Sequence, residues 1–293
     1  MRIAIASGKG GTGKTTVAVN MAAVAARHRE DVTYIDCDVE EPNGHIFFKP
    51  TVEKIETVMV PVPRVDDSKC TYCGECGYIC QYKAIVSILN KVLTFPELCH
   101  GCGGCTLVCQ DGAITEIPRA VGKVEIGSVH FSDETGLMNG KHLGMVQGVL
   151  DVKEAMPGPV IRRVKAYIPD SGLRIIDAPP GTSCPVVESV RGSDYVLLVT
   201  EPTPFGLHDL TIAVETVREM GLPMGVVINR ADIGDDRVTR YCKSERITVL
   251  AEIPDDRRVA EVYSRGGIIV DAISWFAECM QGLLQRLSEE VAV

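Results

Sequence analysis

The chain is 293 residues long and carries 30 basic against 39 acidic side chains, a formal charge of −9. That balance argues against broad binding of nucleic acid or of an anionic membrane surface, both of which need clustered Lys and Arg. No apolar run reaches the ~18 residues of a membrane span, and the chain opens as strand and loop, not as a signal peptide. The expected compartment is therefore the cytoplasm, where the 12 cysteines point to metal before disulfides.

The first element is the apolar run Arg2-Ile-Ala-Ile-Ala6, a buried strand. Gly8-Lys9-Gly10-Gly11-Thr12-Gly13-Lys14-Thr15 follows, and residues 16–26, beginning at Thr16, are rich in helix formers. Strand, glycine loop and helix in this order are the context of the phosphate-binding loop G-x-x-x-x-G-K-T. Its backbone N–H groups curl around phosphate oxygens at a helix N-terminus. Lys14 is expected at the β/γ-phosphates and the Thr15 hydroxyl on Mg²⁺. The competing reading is a glycine-rich turn with a chance lysine; it does not require both flanks.

Val32-Thr-Tyr-Ile-Asp36 is a second strand, and Asp36-Cys37-Asp38-Val-Glu-Glu-Pro42-Asn43 follows it. Carboxylates at the C-terminal end of a strand in an α/β sheet stand where ligands bind. A linker-like run, Pro61-Val-Pro63 to Lys69, precedes Cys70-x₂-Cys73-x₂-Cys76-x₃-Cys80. The same spacing returns 29 residues later as Cys99-x₂-Cys102-x₂-Cys105-x₃-Cys109. Ala84-Ile85 and Ile88 repeat as Ala113-Ile114 and Ile117. This is the spacing of two-cluster bacterial ferredoxins, in which the fourth cysteine ligates the other cluster. Cys70, Cys73, Cys76 and Cys109 are expected on one [4Fe–4S] cluster, and Cys99, Cys102, Cys105 and Cys80 on the second. Structural zinc also uses C-x₂-C pairs, but it leaves three close cysteines plus a remote fourth, twice over, unexplained. Gln81 and Gln110 stand where ferredoxins of this kind usually have proline.

Residues 121–170 are less legible: 124–126 and 128–130 read as short strands and 160–167 as helical. His130 and His142 are assigned no role. Leu173-Arg-Ile-Ile-Asp177 is a further strand, followed by Ala178-Pro-Pro-Gly181-Thr-Ser-Cys184. Strands over 195–200, 224–230 and 247–253 alternate with helices. Residues 272–290 place Ile273, Phe276, Met280, Leu283, Leu284 and Leu287 at helical spacing.

Lys9, directly after the first glycine, makes the loop resemble the deviant Walker A loop of the MinD/ParA/Mrp and nitrogenase iron protein group. The resemblance extends over nearly the whole chain, to MinD-type ATPases carrying an inserted ferredoxin. It implies a doubly wound, mostly parallel α/β P-loop domain (1–60 and 121–293), interrupted by a small α+β dicluster ferredoxin (61–120). It also implies a homodimer closed by ATP, with Lys9 acting across the subunits as a charge stabiliser. Asp36 and Asp38 then belong to switch I, Asp38 orienting or deprotonating the attacking water and Asp36 supporting the Mg²⁺ shell. Asp177 would hold Mg²⁺ through water, and the Gly181 N–H would sense the γ-phosphate. Asn229, Arg230, Pro254, Asp255 and Asp256 would flank adenine.

Cys184 lies seven residues beyond Asp177, where nitrogenase iron protein has a subunit-bridging ligand. Its companion cysteine has no counterpart here, so Cys184 is expected to be a small buried thiol. Cys242 stands alone where cluster carriers of the Mrp type have C-x-x-C. The C-terminal helix lacks the basic face of the MinD membrane helix, so it is expected on the core. Three functions are open: ATP-gated electron transfer to a partner protein, assembly of an iron–sulfur or metal cofactor, and MinD/ParA-like positioning. The last is disfavoured by the acidic charge. No nucleic-acid or stable membrane partner is expected.

Overall fold

Strand β1 (Arg2–Ala6) is apolar at nearly every position rather than at alternate ones, the signature of a strand covered on both faces. The computed structural model describes residues 1–28, 31–131 and 142–291. After β1 come α1 (Lys14–His28), β2 (Val32–Asp36), α2 (Gly44–Phe48) and β3 (Thr51–Val65). The middle of the chain forms α3 (Glu75–Ile79), β4 (Ile85–Ile88), β5 (Lys91–Thr94), a 3₁₀ turn (Pro96–Leu98), α4 (Gly104–Val108), β6 (Ile114–His130) and β7 (His142–Leu150). Next are α5 (Gly158–Lys165), β8 (Leu173–Asp177), α6 (Cys184–Val190), β9 (Tyr195–Thr200), α7 (Pro204–Glu219) and β10 (Met224–Asn229). The chain closes with α8 (Arg237–Glu245), β11 (Thr248–Ile253), α9 (Arg257–Ser264), α10 (Ile269–Ala272) and α11 (Ser274–Val291).

Nine strands make one sheet in the order β11-β10-β9-β1-β8-β2-β7-β6-β3, and β4 pairs with β5 in an antiparallel hairpin. Strands β11 through β7 in that order run parallel. Register then decides what meets at the carboxyl edge. Asp36 of β2 pairs with Asp177 of β8, and Ile5 of β1 pairs with Asp177 on one side and Leu197 on the other. The glycine loop leaving β1 thus emerges beside both aspartates, at the edge where open α/β sheets bind ligands.

Residues 1–55, 124–149 and 161–293 form one compact unit, and 56–123 with 150–160 form a second. In the first, α1 and α11 cover the sheet, with Met21 and Val24 of α1 and Phe276, Met280, Leu283 and Leu287 of α11 buried. The second buries Ile85 and Ile114 with Cys76, and Ala84 with Cys99 and Val62. Among the described residues no helix is long and apolar enough to cross a membrane.

The structure departs from the sequence reading at the linker-like run that opens at Pro61, and it gives the far end of the cysteine-rich segment to a strand as well. Residues 61–65 lie within β3, the last strand in the sheet order, and 118–123 lie within β6. Proline lacks a backbone donor and is tolerated where one strand edge is unpaired. Around Pro61 and Pro63, Val58, Val60 and Val62 alternate inward and bury their side chains.

Leu283→Ala is expected to destabilise the protein by about 2–5 kcal/mol, the range for emptying a fully buried leucine site. Denaturant unfolding followed by circular dichroism measures it.

Candidate nucleotide site and cysteine cavities

The loop between β1 and α1 is shaped by glycines that have steric work to do. Gly11 and Gly13 have φ of +82° and +94°, and a Cβ on Gly13 would lie 2.3 Å from Nδ2 of Asn229. That same nitrogen donates to the Thr12 carbonyl (2.9 Å), so the end of β10 braces the loop. A Cβ on Gly8 would strike the Asp209 carbonyl of α7 at 2.2 Å. The loop bounds a cavity of about 350 Å³.

Lys9, Gly10, Gly11, Gly13, Lys14, Thr15, Thr16 and Asp38 line it, as do Asn229, Arg230, Pro254, Asp255 and Asp256. Gly8 and Thr12 belong to the same loop but are not among the lining residues, and the Thr12 hydroxyl is buried without a hydrogen-bond partner. Asp36 and Asp177 end β2 and β8 and do not line the cavity; each is 1% exposed. The Gly181 N–H donates to the Ser7 carbonyl at 2.9 Å, on the loop side of the site. Pro180 and Tyr263 also line the cavity, and neither was singled out by the sequence. Tyr263 carries no motif; it belongs to α9, and its ring packs on Phe47 of α2 with centroids 4.9 Å apart.

Around Lys14 lies a dense charge cluster. Lys14 Nζ donates to Asp177 Oδ1 at 2.6 Å, sits 3.8 Å from Asp38 Oδ2 and 3.3 Å from the Thr15 hydroxyl. The second Asp177 oxygen accepts from the buried Tyr34 hydroxyl at 2.9 Å. Asp36 accepts backbone N–H groups of Asp38, Asn43 and Gly44, tying the start of α2 to β2. Burial pushes the Lys14 ammonium down, but Asp177, Asp38 and Asp36 together outweigh it and hold its pKa above the ordinary value. Burial, reinforced by Asp177, raises the Asp36 carboxyl to about 7 against the opposing Gly44 N–H. Burial likewise raises Asp38 to about 6, with Lys14 opposing.

The second unit holds two smaller cavities. One is lined by Cys70, Cys73, Cys76 and Cys109, together with Val65, Val92 and Ile114. The other is lined by Cys80, Cys99, Cys102 and Cys105, with the stacked rings of Tyr82 and His100 beside them. The two halves of the cysteine repeat are folded alike: Gly74 and Gly103 adopt φ of +84° and +72° and open α3 and α4. Backbone N–H groups point at sulfur, Gly101 to Cys99 at 3.4 Å and Ala113 to Cys109 at 3.3 Å. Burial raises the Cys80 thiol, but backbone N–H groups around it, Ile85 and Ala84 first, leave it net below its ordinary pKa. Burial raises Cys76 and Cys105. Among the described residues no three His, Cys, Asp or Glu side chains converge on a point suited to a single metal ion.

Cys184 corrects an expectation. It is exposed, not buried, because it opens α6 on the outer face while Val186, Ser189 and Val190 turn inward. Cys242 is fully buried in α8 and its thiol is raised to about 11 by that burial.

A parallel α/β sheet with a glycine loop of G-x-x-x-x-G-K-T spacing at the carboxyl edge of β1 defines a P-loop nucleotide-binding protein. Residues 3–269 match the family model CbiA, described as the CobQ/CobB/MinD/ParA nucleotide binding domain. An uncharacterised protein of Methanocaldococcus jannaschii is 31% identical over 99% of this chain and 97% of its own length. An iron-sulfur cluster carrier protein of Pyrococcus abyssi is 24% identical over 98% of this chain and 87% of its own. The septum site-determining protein MinD of Pyrococcus horikoshii, solved with Mg-ADP, superposes with a TM-score of 0.59 at 18% identity, covering 97% of this chain and 94% of that one. The chain belongs to the CobQ/CobB/MinD/ParA nucleotide-binding family and is a P-loop ATPase of the MinD/ParA type.

Both Asp36 and Asp38 hold protons more tightly folded than unfolded, so folding takes up protons above the ordinary carboxylate range of ~4. Their contribution to stability is full below that range and is lost as pH rises through about 6 for Asp38 and about 7 for Asp36. The nucleotide-free protein is therefore expected to melt at progressively lower temperature from about pH 5 to about pH 8. Asp38→Asn should remove the loss near pH 6 and leave the one near pH 7, as read by thermal midpoints across that range.

Proposed function

We propose that this ATPase is a dimeric switch coupled to two [4Fe–4S] clusters, and that it gates electron transfer to a partner protein. The observation that carries the reading is the pair of cavities in the second unit. Each is lined by four cysteines, three from one half of the repeat and the fourth from the other. Thiolate-only sets with backbone N–H groups directed at sulfur suit iron–sulfur clusters. Cys70, Cys73, Cys76 and Cys109 would hold one cluster and Cys80, Cys99, Cys102 and Cys105 the other, in a ferredoxin-like insertion spanning about 61–120. Bound there, the clusters would supply one-electron redox chemistry.

At the nucleotide site, Thr15 would ligate Mg²⁺, with Asp36 and Asp177 supporting its shell, and the ion would neutralise charge between the phosphates. The chain's own groups do the rest. Lys14 exchanges Asp177 for the β/γ-phosphates, and the loop N–H groups cradle them. Asp38, with its raised pKa, is suited to orient the attacking water or take its proton. The Gly181 N–H, released from Ser7, would report the γ-phosphate. Lys9 would act across a homodimer interface, and Asn229, Arg230 and the 254–256 loop would bound the adenine. Positioning and charge stabilisation carry most of phosphoryl transfer, so hydrolysis is expected to be slow without the partner. The cytoplasm is the proposed location.

A second reading, assembly of clusters for a client protein, is favoured by the likeness to the Pyrococcus carrier. The solitary, buried Cys242, where the Mrp-type resemblance implies a C-x-x-C pair, counts against the simple carrier version.

Anaerobic EPR of the reduced protein, recorded with and without Mg·ATP, should show nucleotide-dependent cluster signals or potentials. If nucleotide changes neither the signals nor the reduction of a partner, electron gating fails; transfer of cluster to an apo-acceptor would then favour assembly. Lys14→Ala is expected to lower hydrolysis on the order of 10³-fold, since it removes the central phosphate cation. Cys109→Ala should remove the cluster of the Cys70 set and leave that of the Cys99 set, so that about half the iron remains.

A further inference from the structure

Glu201 carries a carboxylate that meets two of the cations that line the nucleotide cavity. It follows the last residue of β9, where the chain turns sharply into α7. The Thr203 N–H donates to its carbonyl at 2.8 Å, and a Cβ on Gly206 would strike that same carbonyl at 2.2 Å. The turn therefore fixes the Glu201 backbone, and the residue is only 8% exposed. One carboxylate oxygen accepts from Arg230 Nη1 at 2.9 Å, and the other lies 3.5 Å from Lys9 Nζ. Lys9 and Arg230 both line the nucleotide cavity, one from the phosphate loop and the other from the end of β10.

The charge balance of the cavity follows from these contacts. Lys14 is paired with Asp177 and Asp38, and Lys9 with Glu201. Arg230 is shared between Glu201 and Asp255. Every one of these three lining cations thus has an internal carboxylate. A polyphosphate entering the cavity meets cations that are already engaged, together with a buried negative charge screened by salt less than an exposed one. Lys9 is the more easily exchanged partner of Glu201: its contact is longer, and a flexible lysine stem can swing where the forked guanidinium holds its geometry.

We propose that Glu201 is the positioning counter-ion of the nucleotide cavity: it parks Lys9 beside Arg230 in the nucleotide-free protein and surrenders it to nucleoside polyphosphate, first in this cavity, which Lys9 lines, and, on the dimer reading above, across the interface once two subunits close. It sets nucleotide affinity by competition while keeping Lys9 in one place until phosphate arrives. The inference uses the nucleotide cavity alone, so it is separable from the cluster reading.

Glu201→Gln keeps the shape and an oxygen for Arg230 but removes the charge. Titration calorimetry with Mg·ADP and Mg·ATP at low salt should show binding tightened about 5-fold, the equivalent of one modest ion pair. The gain should shrink as salt rises and vanish in a Lys9→Gln background, while the nucleotide-free melting temperature moves little. Unchanged or weaker binding in Glu201→Gln overturns the proposal, and so does a gain that persists in full without Lys9. Should Glu201→Gln fail to fold, Glu201→Asp decides: a shortened carboxylate that loosens Lys9 should bind nucleotide more tightly than wild type, and equal or weaker binding overturns the inference.

Discussion

The buried pair between Lys14 and Asp177 is the interaction on which the rest of the site depends. A lysine at 6% exposure and an aspartate at 1% coexist only because each satisfies the other at 2.6 Å. Removing either partner of such a pair typically costs about 3–5 kcal/mol, because the remaining charge is left uncompensated. The pair is not isolated. Asp177 is also held by Tyr34, whose ring abuts Gly44 and meets Phe48 edge-on at 5.2 Å. Asp36, next to Asp177 across the sheet, holds the N–H groups that start α2. Helix α2 is thereby tied to the same carboxylate cluster that holds Lys14. A change at Lys14 is felt at α2 through two residues.

Much of the nucleotide site was legible because its determinants are local. The glycine loop, the strands ending at Asp36 and Asp177, and the loops at Asn229 and Pro254 each announce themselves within about ten residues. The cysteine repeat was legible for the same reason: Ala84-Ile85 and Ala113-Ile114 sit at equivalent spacings and are buried in both halves. What the sequence could not reveal depends on register and on long-range packing. Tyr34 reaches Asp177 only because β2 lies beside β8, and Glu201 meets Lys9 only because β9 lies beside β1. Tyr263 reaches the cavity from a helix more than two hundred residues after the phosphate loop. No local pattern encodes such proximity.

The strand errors have a physical cause as well. β3 carries two prolines and a largely exposed face, both of which read as linker. Its buried positions alternate, and alternation interrupted by proline is a weak signal that only the partner strand resolves. Cys184 was misplaced for a comparable reason. A lone small residue in a loop gives no period, so whether it faces core or solvent is decided by the helix that follows. Once α6 is seen to bury Val186 and Val190, the first position of that helix must face outward.

The internal contacts of the site define what binding can do. Lys14 is engaged by Asp177, Lys9 by Glu201, the Asn229 amide by Thr12, and the Gly181 N–H by Ser7. Three of the four lie on groups positioned for a phosphate. A polyanion that recruits them breaks internal bonds as it forms its own, so its net affinity is smaller than the sum of its contacts. The difference is not lost. On the exchange proposed above it would appear as release of Asp177 toward Tyr34, of Glu201 toward Arg230, and of the Ser7 carbonyl. A ligand shifts a conformational equilibrium only by its differential affinity for the two states, and internal exchange of this kind is a direct source of such a difference. A site whose cations were unpaired would bind nucleotide more tightly and switch less. The internally neutralised cavity is therefore the arrangement expected of a protein that uses ATP to change state and not merely to hold it.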